Sequence, residues 1–130
     1  MNPRFLIPLA GLALVVSAAA GCGGSVDSRP AKWSYIYPVI IQPNCATANC
    51  HSNLAQRGNL RLDTATSGFA KMQAFAASTL LSQMLRGQRK GYLRMPPDVP
   101  LSDPDIALIE AWGADGAPWD GPGGPMAATP

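Results

Sequence analysis

The segment Cys45-Ala46-Thr47-Ala48-Asn49-Cys50-His51 sets two thiols ahead of the only histidine in the chain. Two thiols can add across the two vinyl groups of one haem, and an imidazole directly after the second thiol sits where it can ligate the iron. The segment therefore reads as a covalent haem site. The usual attachment signature has two residues between the cysteines; here four intervene, so the loop between the thioether bonds must bulge. A second donor is Met95, followed by Pro96 and Pro97. A thioether is a soft, neutral ligand for low-spin iron, and a Met opposite a His raises the reduction potential of a cytochrome. Prolines reduce the entropy lost in holding such a strap. Met72 and Met84 fall on helix faces where packing accounts for them, and Met126 lies in the Gly/Pro-rich tail. The candidate haem-binding residues are thus Cys45, Cys50, His51 and Met95, with His51 and Met95 on the iron of one covalent haem c.

Two other readings of the thiols stay open. In an oxidising compartment Cys45 and Cys50 can form a disulfide that clamps an interaction module, and zinc can take thiols and an imidazole. Zinc ordinarily wants four such ligands. A disulfide does not explain why the sole His abuts the second Cys.

The third cysteine belongs to a different device. Arg4, a mostly apolar run from Phe5 to Val16 and the small residues Ser17 to Gly21 lead to Cys22, the order of parts in an export signal. This resembles a bacterial lipoprotein signal, in which cleavage falls just ahead of a cysteine that is then acylated. Residues 1–21 are then signal peptide, Cys22 the lipid acceptor and 22–32 a flexible tether. The expected address is the cell envelope, anchored by lipid to a bacterial membrane and facing the periplasm or exterior. Export agrees with the haem reading, since bacteria attach haem covalently outside the cytoplasmic membrane.

A formal net charge of +2 names no partner. Nucleic acid is excluded, because the chain lacks the dense basic footprint that phosphate contacts require. Asp98, Asp103 and Asp105 are explained by turns and capping, which leaves no acid, base or nucleophile cluster, no small-molecule substrate site and no enzyme. The basic set Arg86, Arg89, Lys90 and Arg94 precedes the Met95 strap. It can neutralise haem propionates, steer an acidic redox partner or simply be a solvated loop.

The elements that must position these donors are short. Tyr35, Ile36, Val39 and Ile40 recur at helical spacing, which predicts a helix leading to Cys45, with Pro38 acceptable only in the first turn and Pro43-Asn44 as its end. Leu60 and Leu62 flank Arg61 in an extended pass, either over a haem face or under a loop. Asp63-Thr64 is expected to cap a helix with Phe69 and Met72 inward. Thr79 to Arg86 forms another, stopped by Gly87. From Gln88 to Pro100 no periodicity appears. The clearest helix opens at Ser102, with Pro104 in its first turn, Ile106, Leu108, Ile109 and Trp112 inward, and Gly113 at its end.

This order of parts resembles the class I cytochrome c fold, and more closely the planctomycete-type cytochrome c domain. The likeness rests on Tyr37 through Cys45 with Cys50-His51, on Gly58 through Thr64, and on Arg94-Met95-Pro96-Pro97 through Trp112 to Gly116-Ala117. It implies an all-α fold of short helices wrapped around the haem over residues 33–117. The Gly/Pro-rich stretch 118–130 is expected, from its composition, to be a disordered tail. By position the resemblance gives Cys45 and Cys50 as thioether residues, His51 as proximal and Met95 as distal ligand. The function implied is single-electron transfer to a redox protein partner. A haem-based sensor or ligand-binding lipoprotein, with Met95 off the iron, is the alternative.

Overall fold

A computed structural model describes residues 27–122; the proposed signal peptide and Cys22 lie outside the described residues. Among these the secondary structure is helical with no strand, the all-α class expected. No helix among them is long and apolar enough to cross a membrane.

The first helical run, 33–45, is built from α1 (Trp33–Ile36), a π-helical turn (Tyr37–Ile41) and α2 (Gln42–Cys45). It continues through both prolines, whereas the sequence reading ended it at Pro43. A proline has no N–H to give and its ring crowds the carbonyl one turn back, so Pro38 does not fit a regular α-helix interior. Widening the turn to π geometry moves that carbonyl away, and the Gln42 N–H bonds to the Tyr37 carbonyl. Trp33, Ile36, Tyr37, Ile40 and Ile41 are buried along one side. The run delivers Cys45 at its last position.

After the Cys-His loop and a 3-10 turn (Arg57–Asn59), Leu60 is extended, and both Leu60 and Leu62 join the main core. The next helix, α3 (Phe69–Ala77), buries Phe69 and Met72. It starts later than Asp63-Thr64 would have set it. Thr64 instead closes a local turn with Ser67, each side-chain oxygen accepting from the other's backbone N–H at 3.1 and 3.2 Å. Helix α4 (Leu80–Leu85) turns Leu81 and Leu85 inward, and Gly87 takes the left-handed conformation that stops it.

Helix α5 (Asp103–Ala114) begins as its sequence dictates: the Ser102 hydroxyl accepts from the Asp105 N–H, and Pro104 sits in the first turn. Its end differs from expectation. Gly113 lies inside the helix and packs on α3, where a Cβ would stand 3.2 Å from both the Cβ and the carbonyl oxygen of Ala76. The left-handed stop is Gly116, φ 84°. The core centre is aromatic: the Trp33 and Trp112 rings stack at 5.0 Å, and Phe69 meets Trp33 edge-on at 5.6 Å.

The packed part of the chain is longer at both ends than the sequence boundaries. Arg29, placed in the tether, bridges Asp27 and Asp105. Trp119, placed in the tail, meets Phe69 at 4.9 Å, while Asp120 accepts from the Ser34 N–H and hydroxyl at 2.8 and 2.6 Å. Apolar and ionic partners for these few residues lie on distant elements, so local composition alone marked them as linker.

Candidate functional site

The loop after α2 is held by backbone bonds that a cysteine count does not reveal. The Cys50 N–H bonds to the Thr47 carbonyl at 2.9 Å, and the His51 N–H returns to the Cys45 carbonyl at 3.1 Å. Residues 46–50 thus bulge as one closed excursion, which is how the chain accommodates the two extra residues between the thiols. Beyond it the His51 carbonyl accepts from the Leu62 N–H at 2.7 Å, and the Leu62 carbonyl accepts from the buried Tyr37 hydroxyl at 2.8 Å. The histidine backbone is tied through Leu62 to the first helical run. Asp63 adds a brace, accepting from the Asn53 N–H at 2.6 Å.

The His51 ring has its own partner: Nδ1 lies 2.8 Å from the Arg57 carbonyl oxygen. That carbonyl is aimed by a turn in which Gln56, Gly58 and Asn59 all have positive φ. Fixing one ring nitrogen orients the other, the usual second contact of a metal-ligating histidine.

Met95 arrives on a separate segment. Its N–H bonds to the Met84 carbonyl at 3.0 Å, in the last turn of α4, and the Arg94 side chain packs over Gly87. The α4 end is pinned in turn by Arg86, whose Nε and Nη2 grip the two Glu110 carboxylate oxygens of α5 at 2.7 and 2.8 Å. Both Arg86 and the Arg94 stem are therefore supports of the strap.

These pieces meet. Cys45, Cys50, His51 and Met95, with Asn44, Pro96 and Pro97, line one cleft of about 40 Å³. All four predicted donors are half-buried. The sulfurs of Cys45 and Cys50 are not bonded to each other. Burial, with Cys50 close by adding to it, pushes the Cys45 thiol up to about 12, so it stays protonated at neutral pH. On the other side of Pro96-Pro97 the cleft gives onto an open crevice lined by Pro43, Thr47, Asp98 and Val99. Leu60 and Leu62 line neither. Among the described residues no three His, Cys, Asp or Glu side chains converge to hold a bare metal ion.

The contributions that sequence reading missed are mostly main-chain: the carbonyls of Arg57, Met84 and Leu62. Of these only the first had a sequence mark, the turn signal at Gly58.

No protein-family model matches this sequence, and neither a curated protein nor a solved structure is detectably similar to it.

Proposed function

We propose that this chain is a monohaem c-type cytochrome of the bacterial envelope, lipid-anchored through Cys22, that carries single electrons on a class I cytochrome c-like fold. The observation that carries the reading is the cleft itself: four donors of the right kinds, distant in sequence, line one small space. Their chemistry fits the group. Two thiols stand at the end of a helix and across a closed loop, each free to form a thioether. The imidazole has its Nδ1 occupied, which leaves Nε2 for iron, and a neutral thioether comes from a separate strap that lines the same cleft. Haem held by Cys45, Cys50, His51 and Met95 supplies one-electron chemistry between ferric and ferrous iron.

The chain's own part is to hold and shield. Burial raises the Cys45 thiol above its ordinary value, which lowers its thiolate fraction and slows disulfide exchange. A porphyrin is larger than this cleft, so its binding must part the strap from the Cys-His loop. The strap allows that: among the described residues the backbone from Pro96 to Pro100 makes no hydrogen bond to the rest of the fold, and such segments open at low cost. Met95 remains fixed at its root by Met84.

Haem staining of the protein on a denaturing gel, after export from a host that makes c-type cytochromes, tests the proposal. A stained band that is lost in the Cys45→Ala, Cys50→Ala double variant is expected. An unstained band would reject it, and a mass two hydrogens below the bare chain would assign the thiols to a disulfide instead.

A further inference from the structure

Three of the five large apolar side chains left exposed among the described residues fall within one segment: Tyr92, Leu93 and Val99 are 59%, 72% and 70% exposed. Water-facing apolar groups of this size, gathered in one place, mark contact surfaces more often than chance scatter. Three cations interleave with them. Arg89, Lys90 and Arg94 have no carboxylate within ion-pair reach among the described residues, whereas the neighbouring Arg86 is already paired with Glu110 and Asp103. Asp98 is the one acidic side chain in the segment. The guanidinium of Arg89 lies 4.0 Å over the Tyr92 ring, which holds a cation and an aromatic face together at little entropic cost.

This patch is continuous with the cleft. Leu93 and Arg94 line a surface depression with Arg86, Gly87 and Pro97, and Pro97 also walls the cleft that holds Cys45, Cys50, His51 and Met95. Val99 shares the adjoining crevice with Cys50 and Pro96. An apolar centre with a cationic rim is the anatomy of a protein interface. A bilayer surface calls for a longer run of basic residues or an amphipathic helix, and this segment has neither.

We infer that residues 89–99 form the docking surface for an acidic protein partner. The surface selects its partner by charge and then buries Tyr92, Leu93 and Val99 against it, so affinity needs both parts.

Immobilised polyglutamate and a glutamate-tyrosine copolymer, each titrated with the full chain at increasing salt, test this. Wild type should bind both, the copolymer more tightly, with affinity falling as salt rises. The R89E/K90E/R94E variant should lose about tenfold or more on either polymer, Leu93→Ser should abolish the preference for the copolymer, and K32E should behave as wild type. Equal losses in K32E and K90E, which change the net charge by the same amount, would reduce the effect to net charge and overturn the proposal. So would binding to neither polymer together with a preference for phosphatidylglycerol over phosphatidylcholine vesicles. Haem staining is read separately, so docking can fail while the cytochrome reading stands, and the reverse.

Discussion

His51 Nδ1 lies 2.8 Å from the carbonyl oxygen of Arg57, and because a carbonyl only accepts, that ring nitrogen carries the proton. In the neutral ring Nε2 is then left with its lone pair, the tautomer a ligating histidine needs. Nitrogen-15 NMR of the neutral imidazole in the haem-free chain should show a protonated Nδ1 and a bare Nε2. A spectrum with the proton on Nε2 would mean that Arg57 does not orient the ring.

The turn that aims this carbonyl depends on Gly58, whose φ is 65°. A Cβ there meets nothing within 4 Å, so Gly58→Ala carries only the left-handed backbone penalty, roughly 1–2 kcal/mol. A β-branched residue is worse. Urea denaturation should place Gly58→Ala below wild type and Gly58→Val lower again, and the Nδ1 proton of His51 should exchange faster in both. Unchanged stability in the two variants would refute the strained turn.

Gly113 constrains a different surface. It lies within α5 against Ala76, with the prospective Cβ 3.2 Å from backbone and side-chain atoms alike. Gly113→Ala gains helix propensity of about 1 kcal/mol but must push α3 and α5 apart, an overpacking cost of typically 1–3 kcal/mol. The expected net result is a lower thermal midpoint. By contrast, Trp112→Ala empties the stack with Trp33 and should cost about 3–5 kcal/mol, enough to unfold much of so small a domain. A Gly113→Ala variant more stable than wild type would show that the helices have room to give.

How far the sequence spoke for itself follows from where each signal is written. Ser102 capped α5 and its inward stripe was buried as expected, because caps and periodicity are local. The π-turn was not legible: Pro38 and Pro43 each argue for a helix end, and only the burial of five side chains around them outweighs that preference. Gly113 and Gly116 are both plausible stops by residue type, and the close approach of Ala76 that separates their roles is tertiary. The four residues that share the cleft could be singled out in the sequence because thiol, imidazole and thioether are rare, distinctive side chains. Their supports could not, since the atoms that hold His51 and Met95 are main-chain carbonyls, which every residue has.

Met95 and the cysteines are expected to separate in their effects. Met95 is attached to the fold by its backbone, through the Met84 carbonyl, so its side chain can be removed without unpinning the strap. Met95→Ala should keep the stained band of the denaturing gel, lower the reduction potential, and make the reduced protein bind carbon monoxide that wild type resists. If wild type binds carbon monoxide as readily as the variant, Met95 is not a ligand and a gas-binding haem becomes the better reading.

The strap's outer support carries a pH dependence whose sign is fixed by Glu110. The Arg86 guanidinium, and after it the Ser82 hydroxyl, hold the Glu110 carboxyl below its ordinary value of 4.5 against the opposing effect of burial. A carboxylate depressed in the folded state contributes stability above its unfolded value, and that contribution is lost as pH falls through the lower folded value. Asp105, lowered chiefly by Arg29, acts in the same direction. Stability should therefore hold above about pH 5 and decline as the solution is acidified past it. Glu110→Gln should be less stable than wild type at neutral pH, where Arg86 has lost a charged partner, and the two should converge as acid protonates the wild-type carboxylate. Because Arg86 pins the end of α4 that carries Met95, amide exchange at Met95 should rise along the same acid limb in wild type and be raised already at neutral pH in Glu110→Gln. Parallel acid profiles for the two proteins would locate the titration elsewhere.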